Sequence, residues 1–141
     1  MNPGPRERGS VSVELAVLAP VLLALFAFIV AAGRAQVARA AVADAARSAA
    51  RDASLSRDAV TATAVADEAA RRDLAEQDIN CTGVAVEVDT SAMRAPLGQS
   101  GAITVTITCA VGMGDLLVPG LPGSIDVNAT FSSPVDAFRE R

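Results

Sequence analysis

The 141-residue sequence predicts an α+β chain. A long N-terminal helix, transmembrane in its first half and alanine-rich in its second, breaks near 54–56 and is followed by a small antiparallel β-meander. Three observations carry this. Leu15 to Ala32 is eighteen consecutive residues without a charged or polar side chain. Ala31 to Ala75 holds 19 alanines in 45 residues. Beyond Gln77 the apolar residues alternate with polar ones at period two, the spacing of a strand with one buried face.

With Val11 to Val13 the apolar run reaches about 20 residues, the length that crosses a hydrocarbon core of ~30 Å. Arg6 and Arg8 precede it, and Arg34 and Arg39 follow. A buried helix of a globular domain is one competing reading. The rest of the chain has little to wrap around such a helix: 51% of residues are hydrophobic but only 3% are aromatic, namely Phe26, Phe28, Phe131 and Phe138. A cleaved secretory signal, cut near Ala38-Arg39-Ala40, is a second alternative. Signal cores usually run ~7–15 residues, shorter than this one. Pro20 falls inside the span, where neighbouring groups can re-satisfy the carbonyl it frees. Ala27, Ala31 and Ala35, with Gly33, have the four-residue spacing that lets membrane helices approach closely. A compositional bias towards alanine accounts for them equally well.

Alanine is the best intrinsic helix former, and charges are spaced to support a helix after the span, as in Asp44 with Arg47 and Asp67 with Arg71. The rod is expected to reach about Ala53. Ser54-Leu55-Ser56 then offers a break, with Ser56 as the cap of a second helix running to about Gln77.

Val84, Val86 and Val88 alternate, as do Ile103, Val105 and Ile107, with Thr104, Thr106 and Thr108 on the other face. These are strands rich in β-branched residues. Ser91 to Gly101, with Pro96 and Gly98, connects them. Gly112 to Gly123 is a second loop, and Ile125, Val127, Ala129 and Phe131 form a third strand. Joining the first two apolar faces pairs Val84 with Ile107, Val86 with Val105 and Val88 with Ile103. In that register Cys81 misses Cys109 by one residue. A bulge at Thr82-Gly83 absorbs the extra residue and brings the cysteines opposite each other. A Cys81–Cys109 disulfide is therefore expected, in preference to two free thiols or a metal site. Two cysteines without histidine leave zinc short of ligands. A disulfide in turn implies an exported domain.

Composition argues against other functions. The chain has no His and no Lys; all twelve basic residues are Arg, against 16 acids, for a formal charge of −4. The commonest general base and metal ligand, and every Schiff-base lysine, are missing. Ser91 and Ser100 have no histidine to activate them, and Glu87 and Asp89 fall on a strand's solvent face. No enzyme, metal or cofactor is expected. Nor is a nucleic-acid partner, since the basic patch such proteins carry is absent.

Arg8-Gly9-Ser10-Val11-Ser12-Val13-Glu14-Leu15 resembles the processing site of type IV pilin-like proteins. There a short basic leader ends in glycine, a membrane-embedded prepilin-type peptidase cuts after it, and the fifth residue of the mature chain is glutamate. A cut between Gly9 and Ser10 makes Glu14 that fifth residue. A charge within a lipid-facing helix costs ~2.5–3.5 kcal/mol at the bilayer centre and less near the interface, so its retention calls for a partner. The resemblance implies the free amine of a neighbouring subunit, here at Ser10; the alternatives are snorkelling to the headgroups or pairing with Arg6 or Arg8.

The wider resemblance is to the TadE-like pseudopilins of tight-adherence (Flp) pilus systems, in the glutamate-bearing start, the alanine-rich helix and a strand-rich tail with two cysteines. Ser133-Pro134-Val135-Asp136-Ala137-Phe138-Arg139 is similar to actinobacterial members. Leu15 stands where this branch often has tyrosine. The resemblance implies a pilin-like fold and a minor pseudopilin acting in pilus assembly by helix packing, with other pilins and assembly proteins as partners and Glu14 setting register. The expected organisation is a leader over 1–9, a transmembrane helix over 10–33, a helical stalk over 34–77 and a disulfide-stapled sheet domain over 78–141. The protein is expected in the plasma membrane, single-pass, with a cytoplasmic N-terminus and an extracytoplasmic C-terminal domain. Arginine counts alone do not settle that orientation, because a long domain translocates largely regardless of charge. The competing function is a secreted or single-pass surface protein with a small disulfide-stapled binding domain.

Overall fold

The computed structural model describes residues 8–96, 99–116 and 122–135, without the side chains of 8–12 and 115–116. Arg6, Gly98, the middle of the second loop and the tail residues Asp136 to Arg139 lie outside the described residues. The elements are α1 (Arg8–Ser54), α2 (Ala59–Glu76), β1 (Cys81–Asp89), a 3-10 turn (Ser91–Arg94), β2 (Gly101–Gly112), a single helical turn α3 (Met113–Leu116) and β3 (Ser124–Val135). The three strands form an antiparallel sheet in the order β1-β2-β3.

Helix α1 is continuous for 47 residues and passes through Pro20 without a break. Its apolar half and its alanine half play different parts. Ala38, Ala41, Val42, Ala45, Ala46, Ala49, Ala50 and Ala53 are buried. Their spacing of three and four residues is that of one helix face, and the charged residues Asp44, Arg47 and Arg51 lie on the exposed side. Helix α2 meets this face with Ala62, Ala66, Ala69, Ala70 and Leu74. Both helices cover one side of the sheet. The largest fully buried side chains are only Ile103, Ile107, Val42, Val105 and Cys109. A methyl group on each facing helix lets the backbones approach, so dense packing is reached without aromatic rings. Phe131 lies at the margin, with the Arg47 guanidinium 5.3 Å from its ring centre.

The chain turns between the helices at Leu55 to Asp58. The expected cap, Ser56, is not the one used. Asp58 caps α2: its carboxylate accepts from the Thr61 backbone N–H and from the Thr61 hydroxyl, each at 2.8 Å. A carboxylate satisfies a free helix N–H as a hydroxyl does and also favours the positive end of the helix dipole. The bond from the Thr61 N–H holds the Asp58 carboxyl below its ordinary value, helped by the Thr61 hydroxyl. Helix α2 ends in a Schellman turn, with the Ile79 N–H donating to the Leu74 carbonyl and the Asp78 N–H to Ala75. Asp78 takes the left-handed conformation there, φ 54°, a position that glycine fills in most such turns.

The sheet register departs from the one expected. Val84 pairs with Cys109, Val86 with Ile107 and Val88 with Val105, a shift of two residues. Such a shift leaves every side chain on its original face, so alternation could not choose between the two registers. The link after β1 chooses. Asp89 accepts from the Ser91 N–H at 2.9 Å, which lowers its carboxyl pKa, and the 3-10 turn that follows buries Met93. This turn sits so close to β2 that a Cβ on Gly101 would lie 2.6 Å from that of Ala92. The outer sheet face is polar, with Thr104 bonded to Ser132 at 2.8 Å and Thr106 to Thr130 at 2.9 Å.

The bulge is present: pairing slips between Cys81 and Gly83, leaving Thr82 as the extra residue. Its role differs from the expected one. The cysteines are not opposite each other; Cys81 faces Val111 and Cys109 faces Val84. Without the extra residue, Cys81 would share the outward face of Gly83 and Ala85. The bulge turns it inward, diagonal to Cys109, and the two are joined by a disulfide with 5.4 Å between their Cα atoms.

Candidate functional site: the apolar head of the long helix

The first half of α1 projects beyond the packed part of the molecule. From Val13 to Ile29 every large apolar side chain is exposed: Leu15 to 68%, Phe26 to 67% and Phe28 to 71%. Phe, Leu and Val side chains in contiguous array are not left in water by a soluble fold. The apolar stretch is therefore not the core of a globular domain; the core lies further along the helix, from Ala38 onward. By length and composition this helix can cross a membrane.

Glu14 stands on this surface. It is exposed, its helix neighbours three and four residues on are Val17 and Leu18, both exposed, and no cation among the described residues pairs with it. The carboxylate is thus displayed on an apolar helix face, where desolvation makes an opposite charge most valuable. Gly9 and Ser10 lie in the first turn of the same helix, which begins at Arg8. The backbone from Ser10 to Glu14 is one helical turn, so both are presented from the same end of α1. Cys81 and Cys109 are far along the chain from this end and form the staple of the sheet.

Sequence reasoning missed two polar contacts between α1 and the rest of the fold. Arg72 of α2 reaches Asp52 of α1 at 3.8 Å. Ser133 of β3, buried, donates to the Ser54 hydroxyl at 3.0 Å. A polar residue at a core position of β3 was the available signal for the second. The expected helix pairs are present, Asp44–Arg47 at 3.6 Å and Asp67–Arg71 at 2.9 Å; being exposed, such pairs contribute little.

Sequence comparison bears on the same segment. Residues 9–51 match the model of a family described as TadE-like protein. The match begins at Gly9, takes in Glu14 and the whole apolar run, and ends three residues before α1 does. It leaves α2 and the sheet outside. No curated protein and no solved structure matches the chain.

Proposed function

We propose that this chain, TadE-like over residues 9–51, is a minor pseudopilin-like membrane protein that takes part in assembly of a Flp/Tad-type pilus by helix packing. The observation that supports this best is the unbroken α1: an exposed apolar half bearing one carboxylate, continuous with an alanine half that seats the sheet domain. In this reading a prepilin-type peptidase cuts between Gly9 and Ser10. The apolar helix then moves from the bilayer into a bundle of like helices, and Glu14 sets register by pairing with the Ser10 amine of a neighbour. The partners are other pilins and pilus assembly proteins. The role is structural, without catalysis or cofactor. The span is single-pass in the plasma membrane, with its N-terminus cytoplasmic. The disulfide supports an extracytoplasmic sheet domain, since such bonds persist in oxidising compartments.

The mature N-terminus tests the proposal. Mass spectrometry of the protein from its native membrane should find a chain beginning at Ser10. An uncut Met1 would reduce the protein to a plain membrane anchor. A start beyond Ala32 would favour the secreted binding domain. Against that last outcome, a signal cut at Ala38-Arg39-Ala40 would fall inside α1, within a helix face where Ala38 and Val42 are buried.

A further inference from the structure

The sheet domain sits on α1 with one end towards the apolar run. Strand β2 starts beside the far end of the helix: Ile103 pairs with Ser133, whose hydroxyl donates to Ser54. It ends beside the near part, where Val111 lines an apolar groove of about 440 Å³ together with Val30, Gly33 and Val37. From Ile103 to Val111 a strand advances about 26 Å at ~3.3 Å per residue, the rise of about 18 helical residues. Counted back from Ser54, that reaches the level of Gln36. Gly112 and α3 follow, approaching Ala32, where the apolar run ends. The α3 turn packs against α1. Burial of α1 extends accordingly to Ala31, inside the apolar run and on the face of Ala38 and Val42, whereas Ala24 and Ala27 are exposed.

What this end of the domain carries is apolar. From Ala110 to Gly123 the sole polar side chain is that of Asp115, and Leu116 to Gly123 is the longest stretch without one outside α1. The Met113 N–H donates to the Gly123 carbonyl at 2.9 Å and closes the base of the connection. Ile125 is 43% exposed, against 7% for Val127 on the same face of β3. We propose that this foot of the sheet domain is a second membrane contact, with Met113, Ile125 and the apolar connection between β2 and β3 resting in the interface of the leaflet that α1 enters. The inference rests on the reading of α1 as a membrane anchor, and it holds for either orientation. Continuity with α1 names the occupant. Where the apolar run ends, the helix is surrounded by the boundary of headgroups and acyl chains, and an apolar surface packed there faces the same boundary. Irregular backbone is not left in hydrocarbon, so the contact is interfacial, about 5–10 Å deep. Pro119 and Pro122 suit that depth, since neither has a backbone N–H to strip of water. Asp115 brings the one charge, which costs less at the interface than at the bilayer centre. Held by α1 and by its foot, the domain cannot turn about the helix axis and presents a fixed side to a neighbour.

The absence of Trp and Tyr from the chain makes single introduced tryptophans the natural probe. The full chain is reconstituted in phosphatidylcholine vesicles brominated high on the acyl chain. Quenching is read for Phe26→Trp in the span, Ile125→Trp at the foot and Leu55→Trp at the opposite end, where Leu55 is 79% exposed. Quenching at 125 should reach about half that at 26 or more, as a side chain at the acyl boundary would give, and Leu55→Trp should stay unquenched. Adding Leu117→Asp and Leu121→Asp, which charge the connection, should cut quenching at 125 by about half or more, with hydrogen exchange of the β2 amides unchanged to show the sheet intact. Equally weak quenching at 125 and 55, with strong quenching at 26, overturns the foot contact and leaves the anchor standing. A blue-shifted but unquenched tryptophan at 125 means that protein covers the foot, and it overturns the proposal equally. Quenching at 125 that survives both aspartates overturns the place given to the connection. Absence of quenching at 26 overturns the anchor reading itself, and the foot contact with it.

Discussion

Reducing the Cys81–Cys109 bond should weaken the sheet by an amount that can be worked out beforehand. The bond links residues 28 apart. On the chain-entropy account, closing a loop of that length removes about 12 cal/mol/K from the unfolded state, or about 3.5 kcal/mol at 25 °C. Little offsets this in the folded state. Cys109 is wholly buried and Cys81 half-buried, so two thiols would occupy the same space and leave no cavity. Thermal melting of the whole chain would be dominated by α1, whose apolar half stays helical in a micelle. Hydrogen exchange isolates the sheet instead. The β2 amides from Ile103 to Cys109 sit in the central strand and exchange only when the sheet opens. A loss of about 3.5 kcal/mol, at 1.36 kcal/mol per tenfold, should speed their exchange roughly 400-fold when the detergent-solubilised protein is reduced. Acceleration of less than about tenfold would refute the argument. It would mean that the helices hold the strands together and that the bond adds little.

Three further changes test the packing and the caps. Ala49→Leu places a larger side chain in a fully buried position and should cost about 1–3 kcal/mol, whereas Ala40→Leu, on the exposed side of α1, should stay within about 0.5 kcal/mol by the same exchange assay. Asp58→Ala should destabilise α2, and Asp58→Asn should restore most of the loss. Because the folded-state pKa of Asp58 is lowered below its ordinary 3.8, its contribution is complete above that value and disappears as pH falls through the folded pKa. A titration of stability below pH 5 should therefore show a decline in the native protein that is smaller in the Asn variant. Asp78→Gly removes a side chain from a left-handed position, φ 54°, and should stabilise the chain by about 0.5–1 kcal/mol; a loss instead would show that the Asp78 side chain has a bonding role.

The parts of this fold legible in the sequence are those where a residue type has one physical meaning. An uninterrupted apolar run marks a span, and period-two alternation marks the faces of β2 and β3. The bulge between Cys81 and Gly83 was legible in place but not in role, since the cysteines it was expected to set opposite each other lie diagonally. Register was not legible, because the two candidate ladders bury the same side chains and the choice is made by the short turn after Asp89. The apolar groove at the foot of the domain left no pattern at all. Its walls come from α1, from the end of α2 and from β2, and only their packing brings Val30, Ile79 and Val111 together.

Alanine is the instructive case. In a two-helix stretch where 19 of 45 residues are alanine, neither hydrophobic periodicity nor composition distinguishes the buried alanines from the exposed ones. The arginines and aspartates could have made the distinction: positions 44, 47 and 51 share one side, and the opposite side is buried. That side is the seat of the sheet. A chain with no Trp or Tyr cannot fill a wide gap between layers, so it narrows the gap. Each methyl group of α1 and α2 lets Ile103, Val105 and Ile107 reach close to the helix backbone, and contact at that range supplies the dispersion energy that larger side chains would otherwise provide. The same economy ties stability to shape. A core built from the smallest side chains resists enlargement, and the one truncation left to alanine, to glycine, costs about 1 kcal/mol through helix propensity. Loss of stability should therefore rise with side-chain volume added at the buried alanines of 38–53.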